Sequence, residues 1–131
     1  MRKVVCCLIC SLFAVSFSPI TVAQRILDVE ADPVHYKLEF ENDCVYVARA
    51  NFGAHEGMPS FFDAHDAVLV SLTDSQGLKL TFPNGNVTYT GAFHAGAVYW
   101  ARAGGRMQQE NPGDTRVEFI VIEPKRPGAC K

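Results

Sequence analysis

Asp63 and His65 have the residue types and the spacing of a partial metal site. Side chains two residues apart on an extended segment point the same way, and carboxylate and imidazole groups are ligands for zinc, iron and manganese. Two ligands are few, because such sites normally have three or more protein groups. Three further residues are candidates for the third ligand: His55, His94 and Glu110. The structural alternative is that His65 and Asp66 form the turn before a strand, and that His55 and His94 lie on the surface.

Other catalytic patterns are missing from the sequence. It contains no glycine-rich phosphate-binding loop and no nucleophile elbow. Cys44 falls within a predicted strand, so the sequence does not place it beside a histidine, and the carboxylates are scattered. The pair at 63 and 65 therefore carries the enzyme hypothesis alone.

The first 23 residues are typical of a secretory signal. Arg2 and Lys3 give a basic start, an apolar run extends from Val4 to Val15, and Thr21–Ala23 precede the expected cleavage point. The apolar run is about a dozen residues, whereas a membrane-spanning helix needs about 20. We therefore expect a periplasmic or secreted protein with no stable membrane insertion after cleavage. Lipid attachment at Cys10 is disfavoured, because no small residue precedes that cysteine.

The mature chain then has 108 of the 131 residues, a length that suits one domain with a hydrophobic core. It keeps 10 basic and 14 acidic side chains, since the signal removes two of the 12 basic ones. A net charge near −4 argues against a nucleic-acid partner, which needs a basic surface. We expect a single domain from residue 24 to residue 131, ending in a short flexible tail.

Cysteine usage is consistent with export. Three of the five cysteines leave with the signal, and Cys44 and Cys130 remain as an even pair in an oxidising compartment. A disulfide between them would tie the C-terminal tail to an early strand. The alternative is that Cys44 is a small buried hydrophobic residue and that Cys130 is a free thiol in the tail.

A period of two residues dominates the mature chain. Apolar residues at 34, 36, 38 and 40 alternate with polar ones, which predicts a strand buried on one face. Six further strands are expected: Cys44 to Phe52, Ala67 to Thr73, Leu78 to Phe82, Val87 to Thr90, Ala97 to Ala101 and Val117 to Ile122. Asn84 and Gly85 predict a two-residue hairpin turn. Short strands separated by turns predict an antiparallel, all-β sandwich or barrel of the jelly-roll kind.

A series of short motifs carries a resemblance to a known family. The motifs are HYKLEFEND at 35–43, GAHE at 53–56, LTD at 72–74, GAVYW at 96–100, AG at 103–104, EN at 110–111 and EFIVIEPK at 118–125. In this order the chain resembles the small single-domain cupins, the RmlC-like jelly rolls, over residues 32–125. The resemblance implies a cupin-type antiparallel jelly-roll barrel.

The first motif departs from the pattern of metal-binding cupins, which have a His-x-His pair there. Those positions fall at Phe62 and Ala64 when counted back from LTD, or at Phe61 and Asp63 when counted forward from GAHE. Neither count yields two histidines. The counts differ by one residue, which predicts an insertion and a bulge or a reshaped rim. The resemblance therefore implies that this chain has lost the family's metal site, and we expect no cofactor.

The same resemblance implies a ligand pocket in the mouth of the barrel. The family's third histidine falls at Arg106 or Met107 here, and a guanidinium in that place would hold a carboxylate or another anion. The residues expected to line the pocket are Phe62, His65, Trp100, Arg106, Gln108 and Glu110. Two structural alternatives stay open: an ion pair between Arg106 and Glu110, and burial of Trp100 in the core.

We therefore predict an exported cupin jelly roll without the usual metal ligands, which binds a small molecule, with anions as one candidate class, or a partner. A metal-dependent enzyme of dioxygenase or isomerase type, with an atypical ligand set around Asp63 and His65, is the alternative function. A structural module is the third hypothesis, because an open sheet edge can pair with a second copy and form a homodimer.

Overall fold

The computed structural model describes residues 28–59, 61–63 and 65–125. The expected signal peptide and the C-terminal tail from residue 126 lie outside these ranges. Within them the chain forms one short helix, α1 Asp28–Ala31, and nine strands. The strands are β1 Tyr36–Glu41, β2 Val45–Phe52, β3 Phe61–Asp63, β4 Ala67–Ser71, β5 Lys79–Thr81, β6 Val87–Tyr89, β7 Val98–Ala101, β8 Gly105–Glu110 and β9 Val117–Pro124. In the described ranges, no helix has the length and apolar character needed to cross a membrane.

The strands form two antiparallel sheets. The first has the order β1-β2-β9-β4-β7 and the second the order β3-β8-β5-β6. The last strand of the chain therefore lies between two early ones, as long-range connections in a jelly roll require. The predicted all-β, antiparallel jelly-roll architecture is confirmed.

The two longest strands, β2 and β9, form the centre of the first sheet. They pair in register from Val45 opposite Pro124 to Phe52 opposite Val117. Along both strands buried and partly exposed residues alternate, because successive side chains point to opposite sides of a sheet. The buried set packs with residues of the second sheet and its loops. The core residues are Tyr36, Tyr46, Ala48, Ala50, Phe52, Met58, Ala67, Leu78, Phe93, Met107, Val117, Phe119 and Val121.

Strand β1 differs from its predicted burial pattern. Of the four alternating apolar positions only Tyr36 is buried. A bulge shifts the register, so that Leu38 lies opposite Ala48 but Phe40 lies opposite Val47. Ala48 and Val47 point to opposite faces of β2, so the bulge places Phe40 on the outer face of the sheet, where it is 52% exposed.

The turn between β5 and β6 differs from the predicted two-residue loop. Gly85 N donates to the Phe82 carbonyl and Phe82 N to the Asn86 carbonyl, each at 2.9 Å, so the loop spans three residues. Gly85 has a φ of 84°, whereas Asn84 keeps a negative φ. Pro83 favours the first turn position, and glycine closes the loop in the left-handed conformation.

Strands β3 and β8 are absent from the sequence prediction. Strand β3 has three residues, and β8 reads GRMQQE, in which Met107 is the one large apolar residue. Strand β8 forms because its backbone pairs with β3 on one side and β5 on the other. The other seven strands match the predicted ones, with ends that differ by one or two residues.

Cys44, directly before β2, is disulfide-bonded. The alternative of a free, buried thiol at this position is therefore wrong. The Cys44 carbonyl accepts a hydrogen bond from Lys125 N at 2.9 Å, so the end of β9 lies beside it. Cys130 lies outside the described residues, and its pairing with Cys44 stays a prediction.

Candidate functional site

The inward face of the first sheet ends in two polar residues. Along β2 the inward side chains are Phe52, Ala50, Ala48 and Tyr46. Tyr46 lies opposite Glu123 of β9 in register, and both are buried. A phenol and a carboxylate therefore share the inner surface at one end of the barrel, next to an apolar interior.

Strand β8 supplies the facing wall, and its alternation decides which residues reach the interior. Met107 is buried, and Gln109 faces inward, because its Oε1 accepts a hydrogen bond from the Tyr36 hydroxyl at 3.3 Å. Arg106 and Gln108 alternate with these two and are exposed. The polar residues predicted to line a pocket from this strand thus lie on the outer face of the second sheet.

Glu110 lies on the same outer face. It pairs in register with Lys79 of β5, and the Lys79 Nζ donates to Glu110 Oε2 at 2.8 Å. The hydrogen bond and the charge of Glu110 raise the pKa of Lys79. The alternative ion pair between Arg106 and Glu110 is wrong, since the carboxylate is bound by the lysine and residues four apart on a strand are about 13 Å apart.

Trp100 is on the outer face of the first sheet. It is 59% exposed, while its neighbours Tyr99 and Ala101 point inward and pack against the core. The alternative of a buried core tryptophan is therefore wrong. The exposed ring is also remote from the interior, because the sheet itself lies between them.

The described side chains among the six predicted pocket residues do not meet in the barrel interior. Arg106, Gln108 and Glu110 share the outer face of the second sheet, and the backbone of Phe62 pairs with that of Arg106. His65 is partly exposed in the turn before β4. Because the sequence pattern predicts no strand at β8, it does not give the alternation that separates the inward residues of this segment from the outward ones.

At edge strand β1, part of the inner face of the first sheet is exposed to solvent. Leu38 faces inward opposite the fully buried Ala48, yet it is 48% exposed. Nearby, Lys125 Nζ and Glu41 Oε1 form an ion pair at 2.6 Å across the ends of β1 and β9. We call this region the open end; its inward residues are Leu38, Tyr46, Met107 and Glu123.

A polar network closes the opposite end. Asn111 is 1% exposed, and its Nδ2 donates to the carbonyls of Phe52 (3.3 Å), Gly53 (2.7 Å) and Thr115 (2.8 Å). Its Oδ1 accepts from Gly113 N at 3.0 Å. These bonds join the loop after β2 to the loop before β9, so this end is a structural seal.

His35 stabilises the same closed end. Its ring stacks on Phe52, with centroids 4.8 Å apart and planes 10° apart. Its Nδ1 lies 2.6 Å from Asp32 Oδ2, and its Nε2 lies 3.5 Å from Glu56 Oε2. Both ring nitrogens are thus engaged by carboxylates, which fits a structural histidine.

The residue types of the interior do not fit a transition-metal site. Of the two residues to which the resemblance assigns the family's third histidine, Met107 is the inward one, and a thioether suits neither zinc nor manganese. On β3, the backbone of Phe61 pairs with Met107 and that of Asp63 with Gly105. Over residues 28–59, 61–63 and 65–125, no group of three His, Cys, Asp or Glu side chains is arranged to hold a metal ion.

The candidates for a third metal ligand have partners elsewhere. His55 Nε2 contacts Asp114 Oδ1 at 2.8 Å, and His94 Nδ1 lies 3.7 Å from Asp74 Oδ1. Both histidines are exposed in loops, as the structural alternative predicts. Glu110 is bound to the β5 lysine described above.

Asp66 has a structural role in the turn before β4. Its Oδ1 accepts a hydrogen bond from Ala103 N at 2.7 Å, which holds the loop between β7 and β8. Residues 60 and 64 lie outside the described ranges. The bulge or reshaped rim predicted for this loop therefore stays a prediction.

Sequence reasoning missed Tyr46 and Glu123 as candidate site residues. The signal was present, because the buried alternation at 117, 119 and 121 continues to Glu123. A carboxylate at the next inward position of such a strand is unusual, since buried charges are rare unless they have a role or a partner.

Comparisons with known proteins agree with the two-sheet barrel. No family model matches the sequence, and no curated protein matches it. Among solved structures, the chain is similar to a cupin domain from Bordetella pertussis, with 25% sequence identity, a TM-score of 0.61 and coverage of 70% of this chain and 92% of that chain.

Two more distant structures show the same fold. One is an RmlC-like cupin family protein with a double-stranded β-helix fold from Methanocaldococcus jannaschii, at 15% identity and a TM-score of 0.51, covering 68% of this chain and 77% of that chain. The other is a conserved protein with a double-stranded β-helix domain from Klebsiella pneumoniae, at 18% identity and a TM-score of 0.50, covering 68% and 74%.

Proposed function

The chain is a domain with the cupin fold, and from this premise we propose that it is a metal-independent binding protein of the periplasm or the extracellular space. The observation that carries the proposal is the buried thioether of Met107 at the inward position of β8. A metal-dependent dioxygenase or isomerase needs a nitrogen or oxygen ligand there. Binding is therefore favoured over metal-dependent catalysis.

The open end is the proposed ligand site. Its surroundings are apolar, with Leu38 and Met107 on the two sheets, and its polar groups come from Tyr46 and Glu123. Ligand sites are typically of this kind, mostly apolar with a few polar groups that set orientation. The exposed Leu38 marks the side from which a ligand would enter.

The charge of the site indicates the class of ligand. The inward polar groups of the open end are a phenol and a carboxylate, and neither is a cation that would hold an anionic ligand. An anionic ligand held by Arg106 is not supported, because that side chain lies on the outer face of the second sheet. We therefore propose a small, mainly apolar molecule that carries a hydroxyl or an amine.

Metal independence is tested by elemental analysis and by thermal melts with and without a chelator. A stoichiometric metal would stabilise the native state by mass action, so its removal would lower the Tm. We expect no transition metal at a stoichiometric level and an unchanged Tm. One metal per chain, lost on substitution of Asp63 or His65 by alanine, would restore the enzyme hypothesis.

Ligand class is tested with three probes that share one ring: benzyl alcohol, benzylamine and benzoate. At about 100 times its Kd a ligand stabilises the folded state by about 2.7 kcal/mol, which a thermal melt resolves. We expect the alcohol or the amine to raise the Tm and benzoate to have little effect. Tyr46→Phe should weaken the shift, and Tyr89→Phe, on the outer face of β6, is the matched control. Equal stabilisation by benzoate would contradict the proposal.

Export is tested separately by intact mass. Expression in a secreting host should give a protein that begins at Gln24. A secreted product that retains residues 1–23 would disprove cleavage and leave the ligand proposal standing.

A further inference from the structure

The β7–β8 loop, residues 102–104, crosses from one sheet to the other at the open end. Strand β7 is an edge of the first sheet, whereas β8 belongs to the second. Ala101, the last residue of β7, lies opposite Ala67, and the next residue of β4 lies opposite Ile122 of β9, which precedes Glu123. The loop therefore leaves the first sheet at the same end of the barrel as the buried Glu123.

The backbone of this loop covers the Met107 side chain. A Cβ atom added at Gly104 would lie 2.2 Å from Met107 Cε, a distance at which real Cβ atoms are essentially never found, so the methyl group lies directly against the glycine. Met107 is 5% exposed, whereas Leu38, on the β1 side of the open end, is 48% exposed. One side of the proposed site is thus covered by a loop, and the other is uncovered.

One side-chain hydrogen bond attaches the loop to the first sheet. Ala103 N donates to Asp66 Oδ1 at 2.7 Å, and Asp66 lies in the turn before β4. Within the described part of the chain, no other side chain is hydrogen-bonded to residues 102–104. A bond to a carboxylate is stronger than one between neutral groups, but Asp66 is exposed, so water competes for it. The attachment therefore favours one position of the loop without fixing it permanently.

Two consecutive glycines at the end of the loop supply a hinge. Gly105 has a φ of 74°, in the left-handed region that favours glycine. A Cβ atom there would meet nothing within 4 Å, so the backbone conformation, rather than a lack of space, requires glycine. Hinges of lids are a few loop residues that absorb changes in φ and ψ, and Gly104 and Gly105 have no side chains that restrict such changes.

We propose that the β7–β8 loop is a hinged lid over the open end, held closed by the hydrogen bond from Ala103 N to Asp66. In the closed position Gly104 covers Met107. In the open position the thioether is accessible, and the apolar part of the site is larger. The proposal rests on the proposed function for the ligand that the lid admits, but the motion itself is measurable in the free protein. Lid motions of this kind take place in microseconds to milliseconds.

Oxidation of methionine by hydrogen peroxide measures the opening. Met58 and Met107 are the two methionines between residues 24 and 131, and they are almost equally buried, at 4% and 5% exposed. Met58 N donates to the Gln109 carbonyl, farther along β8 from the loop, so Met58 is an internal control. We expect Met107 to be oxidised to the sulfoxide faster than Met58, because oxidation follows exposure and Met107 lies under the lid. Peptide mass spectrometry of the mature protein gives both rates.

Substitution of Asp66 tests the latch. Asp66→Ala should raise the oxidation rate of Met107 by about three- to tenfold, the change in an opening equilibrium that the loss of one hydrogen bond produces, and should leave the rate of Met58 unchanged. Asp66→Asn keeps an acceptor oxygen and should give a rate between the two. Asp114→Ala is the matched control, since it removes an exposed aspartate that contacts His55 in another loop, and it should change neither rate.

Circular dichroism confirms that each variant is folded, and if Asp66→Ala is not, the Asp66→Asn variant decides. Global unfolding exposes both methionines, so an equal rise in the two rates reports a loss of stability rather than lid opening. Equal rates for Met58 and Met107 in the wild type, together with no selective rise for Met107 in the Asp66 variants, overturn the proposal.

Ligand binding provides a second readout. Benzyl alcohol or benzylamine, whichever raises the Tm, should at saturation slow the oxidation of Met107 more than that of Met58, because a ligand in the site lies against the thioether under a closed lid. A probe that raises the Tm without protecting Met107 shows that this loop does not cover the ligand. If neither probe raises the Tm, the ligand proposal fails, and the oxidation rates of the free protein and its Asp66 variants still decide whether the lid opens.

Discussion

Replacing Asn111 by alanine should destabilise the domain strongly, because this one side chain joins two loops at the closed end. Its Nδ2 donates to the carbonyls of Phe52, Gly53 and Thr115, and its Oδ1 accepts from Gly113 N. With the amide removed, these backbone groups lose their partner at a site where Asn111 is almost completely buried.

The expected loss follows from the number and length of these bonds. Three of them measure 3.0 Å or less, and the bond to Phe52 is longer, at 3.3 Å. A hydrogen bond contributes about 1 kcal/mol net, and a buried carbonyl left without a partner costs about 1–3 kcal/mol. We therefore expect Asn111→Ala to lower the free energy of unfolding by about 3–4 kcal/mol, a large part of the roughly 5–15 kcal/mol typical of a domain.

Asn111→Asp separates the loss of hydrogen bonds from the loss of volume. The aspartate has nearly the same shape, but its carboxylate would face the carbonyl oxygens that the amide satisfies. Burial and these oxygens should raise its pKa in the folded state above the unfolded value. Its destabilisation should therefore be large at neutral pH and should lessen as the pH falls through the raised pKa, whereas the alanine variant should lack this recovery.

Urea unfolding followed by circular dichroism measures both effects, with midpoints compared at a common slope. The control is Asn51→Ala, because Asn51 is exposed on β2, and a change within about 0.5 kcal/mol is expected there. A loss below about 1 kcal/mol for Asn111→Ala, or an equal loss in the control, would refute the argument.

Three further predictions use the same assays. Met107→Ala should lower the free energy of unfolding by about 2–5 kcal/mol, because it leaves a cavity in the core. Arg106→Ala should change the free energy of unfolding by less than about 0.5 kcal/mol, because that side chain is exposed. Equal losses in the two variants would contradict the alternation of β8. The pKa of Lys79 is raised above its ordinary 10.5, so the stability that its ion pair with Glu110 contributes should be present below pH 10.5 and lost as the pH rises through the raised value. The urea midpoint of the Lys79→Met variant should therefore fall less at alkaline pH than the midpoint of the wild type. Thiol titration of the mature protein should find neither Cys44 nor Cys130 free, and if the two are paired, reduction should cost about 4 kcal/mol, because the bond closes a loop of most of the domain.

Local pattern was sufficient for most of the strands. The alternation in β2, β4 and β9 depends only on which side chains are apolar, and the period of two is a local property of an extended chain. The order of the motifs led to the same fold that the two sheets show. Strand β8 lacks this signal, since its polar residues form a strand only when β3 and β5 supply backbone partners.

The candidate site depended more on the tertiary structure. Counting along the sequence left Arg106 and Met107 as equal choices for one pocket position, and in a strand a difference of one residue reverses the face. The hydrogen bond between Tyr36 and Gln109 resolves this choice, because it places the odd-numbered residues of β8 inside. That contact joins residues far apart in sequence, so local pattern contained no information about it.

The sequence alone therefore determined the all-β class, the positions of seven strands and the absence of a conventional metal-ligand motif, because these follow from residue type and spacing. The tertiary structure decided which faces are inner and outer. The bulge in β1 moved Phe40 outward, the alternation of β7 placed Trp100 on the outer face, and cross-strand register placed Glu123 beside Tyr46. Each of these depends on the neighbouring strand, and the physical reason is that side-chain direction in a sheet is set by pairing over long sequence separations.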